Sequence, residues 1–425
     1  MRSGRLVISS SVVNARALFL FGPLLALTAC AGWSQSSDGA NPATEGPVAR
    51  QWRISSATRD FERFSRDGTV LASDDALELD AAALPGPAPF PAGKEGGPPP
   101  VASYRFGTAL LAEHSIPDGF SSAVPSLEAL TPPGTWVRVT LAARVGGTWT
   151  KEYDFGPWAF DKSTVSRRSV NGQGDEMGDV FTDTLVLKKA ADAVRVKVWL
   201  YSAQPGVTPR ARALSLALSD GTRTPVDGSS DRVAWGTVLD VPLRSQMIYP
   251  DGGPVWCSPT STTMLLGYWA QRLNRPEIVE TVPTAAANTL DEVYEGTGNW
   301  SFNVAYASAM GGGALHGMVA RLDSFNQVER LIAAGIPVSI SIAYKEGALT
   351  GGASRKTDGH LIVVKGFSPQ GDVVVNDPAF PSDDKVEAIY KRDELWRAWR
   401  HSGGAVYLLW PAGSSLPAGA LYAVP

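Results

Sequence analysis

Cys257 stands in "DGGPVWCSPTSTTMLLGYW", residues 251–269, and is one of two cysteines in 425 residues. The stretch after it, "SPTSTTMLLGYWAQRLN", reads as a helix with Ser258 as N-cap and Pro259 at the first helical position. Ser261, Leu265 and Tyr268 or Trp269 follow along one face. At a helix N-terminus the unsatisfied amides and the macrodipole favour a thiolate, which is the nucleophilic form of cysteine. The competing reading is a buried thiol acting as a small hydrophobe.

A nucleophilic thiol needs a base, and the base needs an orienting group. Four histidines are available. His114 lies in the first half of the chain, His401 follows a helix ending in "SGG", and His316 in "GGGALHGMV" reads as a loop or core residue. His360 opens the strand "HLIVVKGF", and Asp377 ends the next one in "VVVNDPAF". If "SPQG", residues 368–371, is the turn between them, Phe367 pairs with Asp372 and Asp377 faces Ile362, two residues from His360 and on its side of the sheet. A slip of one residue would send Asp377 to the opposite face, and Asp358 and Asn376 are then the other partners within reach. Acyl chemistry also needs donors aimed at an oxyanion. The Cys257 amide can be one, and the side chain of Gln246, in "VPLRSQMIYPDGG", can be a second. "DGG" reads as a flexible approach to the nucleophile.

The elements that must position these groups fall in the second half. A capping-box pattern, "SFNQ" from Ser324 to Gln327, opens a helix whose face is Val328, Leu331 and Ile332 and which stops at Gly335. The strands "VSISIAY", "HLIVVKGF", "DVVVND" and, after a short helix around Leu395, "AVYLLW" follow, so residues 231–425 read as an α+β domain. Residues 51–230 read as an all-β, sandwich-like domain. In "TWVRVTLAAR" and "AVRVKVWLYS" apolar residues alternate with period two, the mark of half-buried strands, and turn signals separate the runs. The Pro/Gly-rich residues 84–100 form a loop. Trp149, Tyr153, Phe155 and Trp158 cluster in "GTWTKEYDFGPWAF", either as a stacking platform for a ligand or as core and interdomain filler.

Residues 1–30 have the layout of an export leader: Arg2, Arg5 and Arg16 without an acid, the apolar "ALFLFGPLLALTA", then small residues. "LTAC", Leu27 to Cys30, resembles the lipobox of bacterial lipoproteins, which would make Cys30 a lipidated membrane tether. Ordinary cleavage at Ala29, Cys30 and Ala31 is the other reading, and both place the mature chain outside the cytoplasm. Residues 31–50 then form a polar tether. The formal net charge of −4 comes with no basic run, which argues against nucleic acid as a partner. In an exported chain two cysteines would normally pair, so a lone Cys257 is itself informative.

Taken together, "VPLRSQ", "WCSPTSTTMLLGYW", "DGHLIVVKGF" and "VVVNDPAF" resemble, in order, the bacteriocin-processing-peptidase-like branch of the papain-like cysteine peptidases over about residues 235–412. The β half resembles the amino-terminal part of exported, stand-alone members. The resemblance implies a papain-like fold in which Cys257 attacks, His360 is the base, Asp377 orients it and Gln246 forms the oxyanion hole. It implies a peptide or protein substrate and calls for no cofactor and no metal. Many members carry glycine after the nucleophile, where this chain has Ser258. Two other readings remain: an acyl transferase of transglutaminase type with the same residues, and a catalytically idle surface lipoprotein binding glycan or protein through its β domain.

Overall fold

The structure, a computed structural model, describes residues 48–83, 103–221 and 223–424. The leader, Cys30, most of the expected tether and the Pro/Gly-rich loop lie outside the described residues. Eleven strands form the amino-terminal half: Ala49–Ser55 (β1), Ser65–Asp67 (β2), Thr69–Leu71 (β3), Leu77–Leu79 (β4), Arg105–Leu130 (β5), Thr135–Val145 (β6), Thr148–Trp149 (β7), Tyr153–Trp158 (β8), Gly178–Phe181 (β9), Thr184–Ser202 (β10) and Arg210–Ser219 (β11). Here β1 begins within the stretch read as tether.

These strands belong to one hydrogen-bonded network, in the order β3-β4-β11-β5-β10-β6-β7 with β1, β2, β8 and β9 attached, instead of the two separate sheets of a sandwich. The long strands make this continuity. The start of β5 pairs with β10 and its end with β11, while register shifts between Val186 and Val196 let β10 bend along it. An extra residue in one strand of a pair kinks it and increases its twist. The alternation in β6 is present, but both faces are covered. Val137, Val139, Leu141 and Ala143 join the main core, while Trp136 joins Tyr104, Trp199 and Tyr201 in a second cluster on the other side. Even Arg138 is 4% exposed, its guanidinium 4.5 Å from the centre of the Trp199 ring.

The carboxyl-terminal half runs α1 (Cys257–Leu273), α2 (Val282–Thr289), α3 (Trp300–Met310), β12 (Leu315–Arg321), α4 (Phe325–Ala333), β13 (Val338–Tyr344), β14 (Thr357–Phe367), β15 (Val373–Asn376), β16 (Glu387–Tyr390), α5 (Arg392–Arg400) and β17 (Ala405–Pro411). It is an α+β unit whose six strands are ordered β12-β17-β13-β14-β15-β16, with every neighbouring pair antiparallel. The capping box of α4 is present, with the Gln327 side chain accepting from the Asp323 and Ser324 amides, and Gly335 takes φ +77° just beyond the helix. His316 lies on β12, a strand the sequence did not announce.

The two halves share one core. Trp158 packs on Phe302 and Phe160 stacks on Tyr306, so the aromatic cluster fills the core and the contact between the halves. Tyr153 and Phe155 are buried with it, and Trp149 lies beneath Arg195 at 4.3 Å. Backbone bonds between Gln51 and both Tyr422 and Val424 return the chain to β1. One deep polar tie is Glu128, 1% exposed, which meets Arg53 at 2.8 Å, His316 Nδ1 at 3.0 Å and the Gly317 amide at 3.1 Å. Burial alone would raise its carboxyl, but the His316 hydrogen bond and the Arg53 charge outweigh that and hold it below the ordinary 4.5. Its stabilisation is therefore present above pH 4.5 and lost as pH falls through the depressed value. Glu128→Ala is expected to destabilise the protein by on the order of 3 kcal/mol near neutral pH, because it leaves Arg53 and the Gly317 amide without their acceptor. Urea unfolding of both proteins measures the gap, and one that persists unchanged into strong acid would contradict this account.

Candidate active site

Helix α1 is buried on every side from Cys257 through Ala270, so it is a central helix and not the one-faced helix its spacing suggested. It packs on β13, β14 and β17 and on α2 and α3. Buried hydroxyls are costly without acceptors, and most of those in the run "CSPTSTT" find partners, Thr260 Oγ1 being the exception among the described residues. Ser261 Oγ donates to the Leu361 carbonyl at 3.0 Å, and Thr262 Oγ1 meets Asn303 of α3 at 3.3 Å. Ser258 Oγ lies 2.8 Å from the Tyr407 hydroxyl on β17. Ser258 is therefore not the N-cap. Trp256 occupies that position, the Thr260 amide bonds the Trp256 carbonyl at 3.0 Å, and Cys257 is the first residue of the helix. Pro259 falls third in the helix, where an amide has no intrahelical acceptor to lose.

Cys257 is 3% exposed and forms no disulfide with any described residue. His360, 6% exposed, sits on β14 next to the Leu361 carbonyl that holds α1. Its Nε2 lies 2.7 Å from Asp377 Oδ1, which leaves the other ring nitrogen for the Cys257 side chain, the second group that interacts with the imidazole. Asp377 is fully buried and also accepts from the Tyr390 hydroxyl at 2.7 Å and the Ala379 amide at 3.0 Å. Sequence reasoning missed Tyr390; its place in β16, opposite Val373, was the only signal, and β16 itself went unread.

The hairpin reached the expected facing by a different route. Phe367 pairs with Val373, not Asp372, because Ser368 closes onto Asp372 in a turn one residue longer than expected. A register shift between Val364 and Gly366 then restores the expected pairing, with Val363 opposite Asn376. The two one-residue departures cancel, and Asp377 lies on the His360 side. The other partners considered are elsewhere: Asp358 is exposed, and Asn376 donates to the Val241 and Pro242 carbonyls.

Gln246, 2% exposed, is stitched between the two functional segments. Its amide donates to the Pro378 carbonyl at 2.9 Å, and the preceding Ser245 amide donates to Asp383 Oδ1 at 2.6 Å. On the other side its carbonyl presses on Gly253, where an added Cβ would lie 2.1 Å from the Gln246 oxygen. Gly252 has φ +140°, open only to glycine. "DGG" is thus a tight packing element and not a flexible approach. The Gln246 side-chain Oε1, an acceptor, is buried without a partner among the described residues, and the donor an oxyanion would need is the Nε2 of the same carboxamide.

Residues 50–219 match the family described as the peptidase C39 N-terminal domain, and residues 238–407 match the peptidase C39 like family. The chain belongs to the peptidase C39-like family. Both halves of this C39-like protein, and the join between them, fall where the fold changes from all-β to α+β. No curated protein matches it. Among solved structures it is similar to the VP2 subviral particle of infectious bursal disease virus, at 14% identity and TM-score 0.19 over 45% of this chain and 38% of that one. It is also similar to a family two carbohydrate esterase from Cellvibrio japonicus, at 13% identity and TM-score 0.17 over 45% and 43%. The C39-like chain spans less than half the length of either, and likenesses of this depth carry no structural argument.

The electrostatics of the histidine set a pH dependence. Burial alone would lower the His360 imidazole, but the Asp377 charge and hydrogen bond, followed by the Cys257 side chain, outweigh it and carry it from 6.5 up to about 10. Asp377 is held below its ordinary 3.8: burial opposes this, and the His360 charge and hydrogen bond and the Tyr390 hydroxyl overcome it. Stabilisation from the raised imidazole is complete below pH 6.5 and is lost as pH rises through about 10; that from the depressed carboxyl is present above pH 3.8 and lost on acidification. The melting-temperature gap between wild type and His360→Ala is therefore expected to be widest between pH 3.8 and 6.5 and to shrink toward pH 10. A gap independent of pH would remove the ion pair from the account.

Proposed function

We propose that this protein is an extracytoplasmic, papain-like cysteine peptidase that cleaves peptide bonds with Cys257, His360, Asp377 and Gln246. The observation that carries the reading is His360, held at 2.7 Å by a fully buried Asp377 and set against a thiol at the first residue of a buried helix. Because His360 is held protonated, the thiol proton already resides on the imidazole, and the Cys257 thiolate of this ion pair attacks the carbonyl carbon of the scissile peptide. Charge develops on the carbonyl oxygen, where the Cys257 amide and the Gln246 side chain donate. His360 passes the proton to the leaving amine as the intermediate collapses to a thioester. Water, deprotonated by His360, attacks the thioester, and the thiol is regenerated as the acid departs.

Alkylation and turnover test this together. Wild-type Cys257 is expected to react with iodoacetamide at mildly acidic pH much faster than Cys257 in His360→Ala. A peptide library is expected to be cleaved by wild type and left intact by Cys257→Ala, with Gln246→Ala losing roughly 10²–10³ in kcat. Equal and slow labelling of wild type and His360→Ala would support the idle-domain reading. Incorporation of an added amine in excess of hydrolysis would assign acyl transfer.

The extracytoplasmic part of the proposal is supported by the arginine-flanked apolar stretch and "LTAC". Among the described residues no helix is long and apolar enough to cross a membrane. Radiolabelled palmitate is expected to enter wild type in a bacterial host and not Cys30→Ser; absence of label from both would leave cleavage without lipidation.

A further inference from the structure

A cavity of about 430 Å³ lies where the β9–β10 turn, the start of α3, the end of β12 and the end of α5 meet. None of Gln246, Cys257, His360 or Asp377 lines it, so it is separate from the thiol site. Its volume and its place between two halves of a chain are those of a ligand pocket.

The carboxylates in its wall are already committed. Asp183 Oδ2 accepts from the Ser301 amide at 3.2 Å and also from that of Trp300, and its Oδ1 accepts from Thr184 at 3.0 Å. Asp323 spends both oxygens on the Val48 and Ala49 amides at 2.8 and 3.0 Å. Asp220 and Arg223 flank one turn of the rim and cancel in formal charge.

Two guanidiniums in the same wall form no salt bridge among the described residues; the buried Asp183 carboxylate acts on Arg321 through its charge, but its oxygens are spent on α3 and Thr184. Among the described residues Arg321, 6% exposed, donates to the carbonyls of Ser402 and Gly403, at 2.8 and 3.3 Å, and to the Ser122 hydroxyl at 3.3 Å. Its Nε is buried and has no partner among the described residues. Arg400 is half-buried, stacks on Trp396 at 4.7 Å, and pairs with no carboxylate among the described residues. Burial depresses both, Arg321 to about 10. A desolvated cation is costly unless an anion completes it. Phe181, 38% exposed, and Trp300 add aromatic surface beside these charges.

We propose that this cavity binds a small oxyanion, a carboxylate or phosphate group carried on an apolar or aromatic body, with Arg400 and Arg321 holding the oxygens and Phe181 and Trp300 the body. Arginine's planar fork suits both oxyanions. The site has no part in the thiol chemistry, so it stands if that chemistry fails.

Calorimetric titration of the full chain with inorganic phosphate and with benzoate, each against sodium chloride at equal ionic strength, tests the proposal. At least one probe is expected to bind with a Kd on the order of 1 mM while chloride gives no saturable heat. The tighter probe names the oxyanion. Arg400→Gln is expected to weaken binding by about tenfold, the loss of a charge-assisted contact, whereas Cys257→Ala leaves it unchanged. Should Arg400→Gln not fold, Arg400→Lys is read in its place, with weaker binding again expected because lysine keeps the charge and loses the planar fork. No binding of either probe beyond chloride, or wild-type affinity in the folded arginine variant, would overturn the proposal.

Discussion

The docking of one buried helix onto one strand governs the geometry around Cys257 and His360. Ser261 donates to the carbonyl of Leu361, the residue after His360, so the helix that begins at Cys257 and the strand that carries the imidazole are joined one turn from both groups. Ser258 repeats the device against Tyr407, and Thr262 against Asn303. Helix α1 has no solvent face on which to slide. Because buried hydroxyls are costly when unpaired, any shift of α1 along the sheet breaks several of these bonds at once. The serine after the cysteine accordingly belongs to the helix's seating on the sheet and does not line a cleft.

A second set of contacts fixes the opposite wall. Asp377 takes its place from the β14–β15 hairpin, and Gln246 is bonded to the segment just beyond it. One short stretch, residues 377–383, thus holds both the carboxylate bonded to His360 and the backbone of Ser245 and Gln246. Tyr390 secures Asp377 from the next strand. A carboxylate that accepts three bonds while fully buried stays ionised and keeps the imidazole charged.

The amino-terminal half is part of this support. Glu128 and Ser126 of β5 bond directly to the backbone of β12, an edge strand of the six-stranded sheet. Asp183 caps the first amides of α3, and α3 in turn contacts α1. Strands buried on both faces, a shared core and the return of Tyr422 and Val424 to β1 make the two halves one packed structure.

The capping box of α4, the strands β13, β14, β15 and β17 and the approach of Asp377 to His360 were legible because each rests on a local signal: a residue type, a period or a cap. Helices α2 and α3 were not. "VPTAAANT" shows little one-sided apolar contrast because the exposed face of α2 carries Pro283 and Ala287 beside Thr284, and "WSFNVAYASAM" because α3 is packed within the fold. The same reason hid the two covered faces of β6. Period two reports which residues share a face, whereas what covers each face depends on segments distant in the chain. Sequence by itself determined which groups exist and roughly which elements carry them. Tertiary structure alone decided that Ser258 reaches Tyr407, that a longer turn and a register shift cancel to bring Asp377 to His360, and that Tyr390 stands behind it. Those are contacts between segments far apart in the chain, set by packing density and by the need of every buried polar group for a partner.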